Sequence, residues 1–385
     1  MRRPPEGAST SGPAGPVFSY LGQVVPGQFG TILPPDLDWL EASPAEEVLL
    51  ADLPIVDSHH HLWDHPGYRY LLAEFAADVN SGHHVVGTVY VECGSMYRAG
   101  GPVEMRPVGE TEFVVGQSAQ SRSGVYGSAD VASAVVGAAD LSLGRAVRPV
   151  LEAHMAAGNG RFKGSRLSAS WDPSDRVGDA KAGPGLLVRP EVREGMAVLE
   201  EMSLVLDCWL FFTQLGELAE AADSCPGLTI VLNHCGHPLA YGPYADNRSE
   251  HRAAWLAGIR QLAQRPNIVC KLGGLTTRND AFDFVHAPMA PTSEQLASAW
   301  APWVEPCVEA FGPGRAMFES NFPVDKMGVG YSTLWNAFER LAMGASDDER
   351  NALFSGTAEH VYSLHPLGAP ALDTTPPGAA REDSR

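Results

Sequence analysis

The sequence predicts an α/β fold, a distorted TIM-type (β/α)8 barrel forming a single domain with an N-terminal arm. Three observations lead there. Eight short segments rich in β-branched and apolar residues recur along the chain, each of a length that suits a buried parallel strand. Segments with helical periodicity lie between most of them, and strands alternating with helices build a parallel barrel. Chemistry-bearing polar residues stand at the C-terminal ends of seven of the eight segments, the end where such a barrel assembles its site. An open doubly wound sheet is the runner-up. It needs a glycine-rich phosphate turn after the first strand, and His59-His60-His61 stands there instead.

Taken in order, residues 1–16 are rich in Pro, Gly, Ser and Thr and are expected to be disordered. Residues 17–52 read as an arm laid over the core, with an acidic helical pattern at 38–50. The barrel is expected over 53–366, followed by a Pro-, Gly- and charge-rich disordered tail at 367–385. Strands are expected at 55–61, 88–93, 133–138, 161–168, 204–211, 228–234, 267–272 and 315–321. Helices are expected at 190–202, 215–224, 249–264 and 293–311, where apolar residues return at helical spacing. The stretch from Met96 to about Ser128 reads as a long polar loop of the kind that covers a site.

Composition sets broad limits. With 385 residues, 44% of them hydrophobic, the chain can bury a large core. A net charge of −19 argues against nucleic acid or an anionic membrane surface as partner. No stretch is long and apolar enough to span a bilayer. The six cysteines form no Cys-x-x-Cys pair, and Cys93, Cys208, Cys235 and Cys270 lie in apolar runs, as reduced core thiols do. The first residues carry two arginines but no apolar signal core. A cytoplasmic protein acting on a small molecule is the expectation; no motif speaks to oligomeric state.

The chemistry begins at the first strand. Alternation along 55–61 sets Asp57, His59 and His61 on one face and Ser58 and His60 on the other. Two neutral imidazoles aimed the same way supply two ligands of a metal site, or polarise a substrate carbonyl without one. A pair of hydrogen-bonded core histidines is the plain alternative. Further strand ends carry Glu92, Arg166, Asp207, His234 with His237, Lys271, and Glu319 with Asn321.

This constellation resembles the amidohydrolase superfamily, in its amidohydrolase-related branch of metal-dependent hydrolases. The matching segments are Val56-Asp-Ser-His-His-His-Leu-Trp63, Gly160-Arg-Phe-Lys-Gly-Ser-Arg166, Ile230-Val-Leu-Asn-His-Cys-Gly-His-Pro238, Val269-Cys-Lys-Leu-Gly-Gly274 and Met317-Phe-Glu-Ser-Asn-Phe-Pro-Val-Asp325. Phe354-Ser-Gly-Thr-Ala358 also looks like that family's closing helix. The resemblance implies a distorted TIM barrel and hydrolysis of lactones or related carbonyl compounds, often with one divalent metal. Neighbouring branches are decarboxylases and hydratases. Two departures stand out. Many relatives end strand eight in a Gly-Ser-Asp-Trp-Pro-like motif, and here the Asp position is Asn321, which can neither take a proton from water nor bring full negative charge to a metal. A metal-ligating His on strand five is replaced by Asp207.

The expected roles follow. His59, His61 and Glu92 are the metal ligands for Zn2+ or Mn2+, or the histidines act metal-free. His234, Glu319 and Asp325 are the candidates for moving a proton, with Asn321 beside them. Glu319 is weighed against a structural ion pair with Lys271 or Arg166. Arg166 suits a substrate carboxylate, because its planar fork matches two oxygens. Lys271, His237 and Tyr97 complete the substrate-binding set, and Asp57 is expected to orient an imidazole from one layer below. The leading function is a hydrolase opening a lactone of a small polar, anionic acid. The alternatives are a lyase (decarboxylase or hydratase) on the same scaffold, and a non-catalytic barrel that binds a small acid.

Overall fold

The structure is a computed structural model that describes residues 18–19, 31–32, 34–174, 177, 182–240, 242–276, 284 and 287–364. Both expected disordered tails, 1–16 and 367–385, lie outside the described residues. Eight parallel strands form one sheet: β1 (Ile55–His60), β2 (Val85–Val91), β3 (Asp130–Gly137), β4 (Phe162–Ser168), β5 (Val205–Trp209), β6 (Ile230–Leu232), β7 (Ile268–Leu272) and β8 (Ala316–Phe318). Each neighbours the next in chain order. The first and last meet through a parallel bridge between His60 and Phe322. Asn321 donates its backbone N–H to the His59 carbonyl at 2.9 Å, and His61 donates to the Phe322 carbonyl at 2.8 Å, so the sheet closes at its C-terminal end.

Helices follow the strands in strict alternation: α1 (Leu72–Val79), α2 (Val108–Ser121), α3 (Arg148–Gly158), α4 (Pro190–Glu201), α5 (Leu215–Ser224), α6 (Arg248–Ala263), α7 (Ser293–Phe311) and α8 (Tyr331–Leu341). Their buried faces carry residues such as Phe75, Leu151, Leu199, Trp255, Trp300 and Trp335, the apolar stripe a helix needs to pack on a sheet. Among the described residues no helix is long and apolar enough to cross a membrane.

Inside the barrel the layers alternate in character. Val56, Val89, Val91, Ala134, Val136, Val205, Val231, Val269 and Met317 form one apolar cluster, joined by Ala358, Val361 and Tyr362 from the C-terminal segment. Two residues further along their strands come Asp207, Asn233, Lys271 and Glu319, all fully buried. A period of two puts these on the same inward face, one layer closer to the site.

Three expectations need correction. The strict alternation along β1 fails, because the pairing with β2 shifts register between Asp57 and His60. Val56 therefore joins the interior cluster, while Asp57 turns to accept hydrogen bonds from the Ser320 hydroxyl at 2.6 Å and from Tyr331 of α8 at 3.1 Å. It touches no imidazole; it fixes backbone N–H groups of His59 and Ser320 at 3.3 and 2.9 Å. The long loop after β2 is largely helix, since α2 buries Val108 and Val114. Among the described residues of the arm, helix runs only over Leu37–Glu41, and Pro44 beyond it cannot continue one. The arm instead docks by polar contacts, with Leu50 N–H on Glu339 of α8 at 3.0 Å and Ser293 N–H on Glu46 at 2.7 Å.

Candidate active site

Three histidines and one glutamate converge at the closed end of the barrel. His59 is the penultimate residue of β1, His61 follows that strand, His234 follows β6, and Glu319 follows β8. The Nε2 atoms of His59 and His61 are 3.3 Å apart. Rings of His59 and His234 lie 4.8 Å apart between centroids. Glu319 sits between these two rings. Its Oε1 is 2.7 Å from His234 Nδ1 and also accepts the His234 backbone N–H at 3.1 Å. Its Oε2 is 2.9 Å from His59 Nδ1, yet that approach is not aligned as a hydrogen bond, and among the described residues the buried oxygen has none. His234 holds its place through a left-handed backbone (φ 55°) shared with Cys235 and His237. Such a turn folds the chain back over the strand end. Gly274 next to it has no room for a side chain, because a Cβ would lie 2.4 Å from the His234 ring.

Burial governs the protonation of these groups. His59 and His61 are held well below the usual imidazole range, first by burial and then by neighbouring cations, Lys271 for His59 and Arg166 for His61. Burial brings His234 down to about 3, with Arg166 and Lys271 adding to it. All three rings are therefore neutral at physiological pH. Burial also raises Glu319 to about 8, against the pull of Lys271.

A tautomer can be assigned for His61. Its Nδ1 is 2.7 Å from the Val91 carbonyl, which can only accept, so Nδ1 carries the proton and Nε2 keeps its lone pair. His234 Nδ1 faces Glu319 Oε1, so with Glu319 ionised Nδ1 carries the proton and Nε2 keeps its lone pair. The residues present fit a divalent cation. Donor atoms of His59, His234 and Glu319 lie within 4.8 Å of one another. The 3.3 Å gap between the two Nε2 atoms is close to the edge of a tetrahedron drawn at about 2.0–2.1 Å around zinc. The Glu319 oxygen without a hydrogen bond is a buried acceptor that a cation at the Nδ1 edge of the His59 ring would satisfy, whereas the paired Nε2 atoms face the opposite edge. Nitrogen and carboxylate donors together suit zinc, and manganese where oxygen predominates.

The remaining expected site residues fall into pairs. Arg166 donates from Nε to Glu92 Oε1 at 2.8 Å and from Nη2 to the Glu92 carbonyl. Glu92 is thus paired with Arg166, while the donor atoms that gather as a possible cation site among the described residues are those of His59, His234 and Glu319. Lys271 is fully enclosed, its Nζ 2.7 Å from Asp207 Oδ2 and 3.5 Å from His59 Nδ1. Its ion pair is with Asp207 rather than Glu319. Asn321 holds a left-handed backbone (φ 53°) and donates from Nδ2 to Asp325 Oδ1 at 2.8 Å. Asp325 also accepts from Thr276 N–H at 3.3 Å. Burial raises Asp325 to about 7, opposed by hydrogen bonds from Thr276 and Asn321. His237 is buried and takes a hydrogen bond on Nδ1 from Trp209 at 3.3 Å. Tyr97 is 40% exposed on the loop after β2.

Sequence reading missed one supporting acid. Glu110 of α2 accepts on Oε1 from Tyr90 OH at 2.8 Å and from the backbone N–H groups of Cys93 and Ser95 at 2.9 and 3.0 Å. It thereby fixes the chain just past Glu92. A glutamate inside a helical segment carries no local signal for that contact.

The chain is similar to known proteins over most of its length. The profile of the family described as Amidohydrolase matches residues 56–364. An uncharacterised protein, y4mH, of Sinorhizobium fredii is 31% identical over 339 residues, covering 82% of this chain and all of that protein. The L-fucono-1,5-lactonase of Burkholderia multivorans is 28% identical over 320 residues, covering 80% of this chain and 96% of that enzyme. Among solved structures, a Burkholderia multivorans amidohydrolase with bound zinc is 25% identical with a TM-score of 0.61, covering 81% of this chain and 99% of that one.

Proposed function

The chain belongs to the amidohydrolase family and is a hydrolase; on that premise we propose that it opens a neutral, hydroxyl-bearing lactone with water. The observation that carries the reading is the group of neutral imidazoles around Glu319 at the barrel mouth. The lactonase names of relatives support it. His59, His61, His234 and Glu319 are the residues that would hold a zinc or manganese ion. When bound, the ion supplies Lewis acidity that lowers the cost of charge building on the lactone carbonyl oxygen.

Asp325 is the base in this reading. A carboxyl raised to about 7 is well matched to taking a proton from water near neutral pH. Asn321 aims it, so the carboxylate missing from the end of β8 is supplied four residues later. Both site cations are already paired, Arg166 with Glu92 and Lys271 with Asp207. That pairing favours a neutral polyol lactone over the anionic substrate expected from Arg166 alone. Tyr97, His237 and the polar Arg166–Glu92 edge then meet lactone hydroxyls. Six free, buried cysteines suit a reducing compartment, and we place the enzyme in the cytoplasm.

The test is a panel of sugar-acid 1,4- and 1,5-lactones and aromatic ring-cleavage lactones, followed by proton release, with zinc or manganese supplied. Turnover of neutral sugar lactones at a kcat/KM on the order of 10⁴ M⁻¹s⁻¹ or above is expected. No turnover of any lactone by folded, metal-loaded protein would overturn the reading. CO₂ release from an aromatic acid would replace it with a lyase.

A further inference from the structure

We infer that Tyr362, in the C-terminal segment packed into the apolar end of the barrel, is a positioning residue that acts on His59 through Asp207 and Lys271. The inference rests on the hydrolytic reading for its kinetic consequence and on geometry alone for its mechanism. The helix Thr357–Val361 brings Ala358 and Val361 against the interior valines. Tyr362 follows, fully buried, and its ring belongs to that apolar layer. Its hydroxyl does not. It reaches the polar layer above and donates to Asp207 Oδ1 at 2.8 Å.

Asp207 is where the connection turns. Its Oδ2 accepts Asn233 Nδ2 at 3.0 Å and Lys271 Nζ at 2.7 Å. Both oxygens are therefore committed, and the carboxylate has no freedom to rotate. The Lys271 ammonium, enclosed and resting 5.3 Å from the Tyr362 ring centroid, is fixed in turn. Its Nζ also lies 3.5 Å from His59 Nδ1, the ring nitrogen that Glu319 Oε2 approaches at 2.9 Å. A positive charge locked against one ring nitrogen of His59 sets what its opposite nitrogen, facing His61, can offer to the reaction. An apolar plug for the barrel needs only a ring at position 362. The hydroxyl is surplus to that task, and burying it without its partner would be costly.

The experiment separates the two roles. Tyr362→Phe keeps the ring and removes only the hydroxyl. In lactone turnover its kcat is expected to fall about 10-fold with KM within about 2-fold, the loss of a hydrogen bond to a charged group read at the chemical step. Asp207→Asn attacks the same contact from the other side. The double variant should be little worse than the more damaging single one, because the residues act in series. In parallel, ring signals of ¹⁵N-histidine-labelled protein are compared, the His59 signal being identified by its loss in His59→Ala. It should move in Tyr362→Phe and in Asp207→Asn, and this readout needs no substrate. If wild type turns over no lactone, the hydrolytic reading fails while a moved His59 signal still supports the connection. A His59 signal unmoved in both folded variants overturns the inference whatever happens to kcat.

Discussion

Removing the side chain of Asn321 should displace the pH dependence of the reaction upward. Asn321→Gly is the suitable change, because the residue sits at φ 53°, where glycine is unstrained and alanine is not. The substitution deletes one hydrogen bond, from Nδ2 to Asp325 Oδ1 at 2.8 Å. That contact helps hold Asp325 down against its burial. A hydrogen bond to a charged group contributes about 1.5–3 kcal/mol, or about 1–2 pKa units at 1.36 kcal/mol each. Asp325 should move from about 7 to about 8–9. At pH 7 its ionised fraction drops from about a half to between roughly a tenth and a hundredth, so kcat/KM falls about 5- to 50-fold. The assay is lactone hydrolysis across pH 5.5 to 9, corrected for spontaneous opening, with thermal melting as a control for folding. The acidic limb should shift up by at least about one unit while the alkaline plateau changes little. A lowered plateau on an unmoved limb would refute Asp325 as the base that Asn321 tunes.

Three further outcomes are expected. Purified wild-type protein should retain about one zinc or manganese ion per chain by elemental mass spectrometry, and His59→Ala should lose it; full retention in the variant would remove His59 from the metal shell. Arg166→Met leaves the nearly buried Glu92 carboxylate without its partner, a loss of about 3–5 kcal/mol and roughly 4–8 °C in melting temperature for a chain of this size. A melting temperature unchanged within a degree or two would show that Glu92 finds solvent. Glu110→Gln should flatten the pH dependence of stability. Burial and the charge of Glu92 raise Glu110 to about 7, so from about pH 4.5 to 7 the folded state keeps a proton that the unfolded chain releases, and wild-type stability falls as pH rises. Glutamine retains the acceptor used by Cys93 and Ser95 and puts an amide where Oε2 has no partner. An equally steep decline in the variant would locate the linkage elsewhere.

How much of this was legible in the sequence depended on distance along the chain. All eight expected strand segments overlap barrel strands, because both faces of a parallel strand are buried and most of the segments are short apolar runs; Phe162–Ser168, with Lys163 and Arg166, is an exception. His59, His61, His234 and Glu319 could be named in advance since each stands at or just past a strand end. What could not be read was their mutual arrangement. Arg166 and Glu92 were each marked, but their pairing spans β2 to β4 with β3 between. Asp57 was misplaced because one register shift reverses every facing after it. Tyr362 and Glu110 lie in helical surroundings, where nothing local distinguishes a residue that reaches the barrel interior from one that packs on its outside.

The charges of the site bear on why Asn321 can be tolerated at the end of β8. Arg166 and Lys271 are each paired with a carboxylate, Glu92 and Asp207. Among the described residues no lysine or arginine stands at ion-pair distance from Glu319 or Asp325, and their carboxyls rise to about 8, against the pull of Lys271, and about 7. A third carboxylate at position 321, beside Asp325 and two residues from Glu319, would add like charge to two acids that burial already pushes toward protonation. With Asn321 the same position donates a hydrogen bond and holds Asp325 closer to ionisation. The departure from the family motif is therefore a redistribution. On the proposed reading, the carboxylate absent from the strand end is replaced by one deeper acid between two histidines and one later acid under asparagine control. A divalent ion among His59, His61, His234 and Glu319 would add positive charge beside Glu319 to that of Lys271. On this argument metal retention and Glu319 stand together: Glu319→Gln should release the ion as completely as His59→Ala. A Glu319→Gln enzyme that keeps its metal would assign Glu319 to orienting the two rings alone.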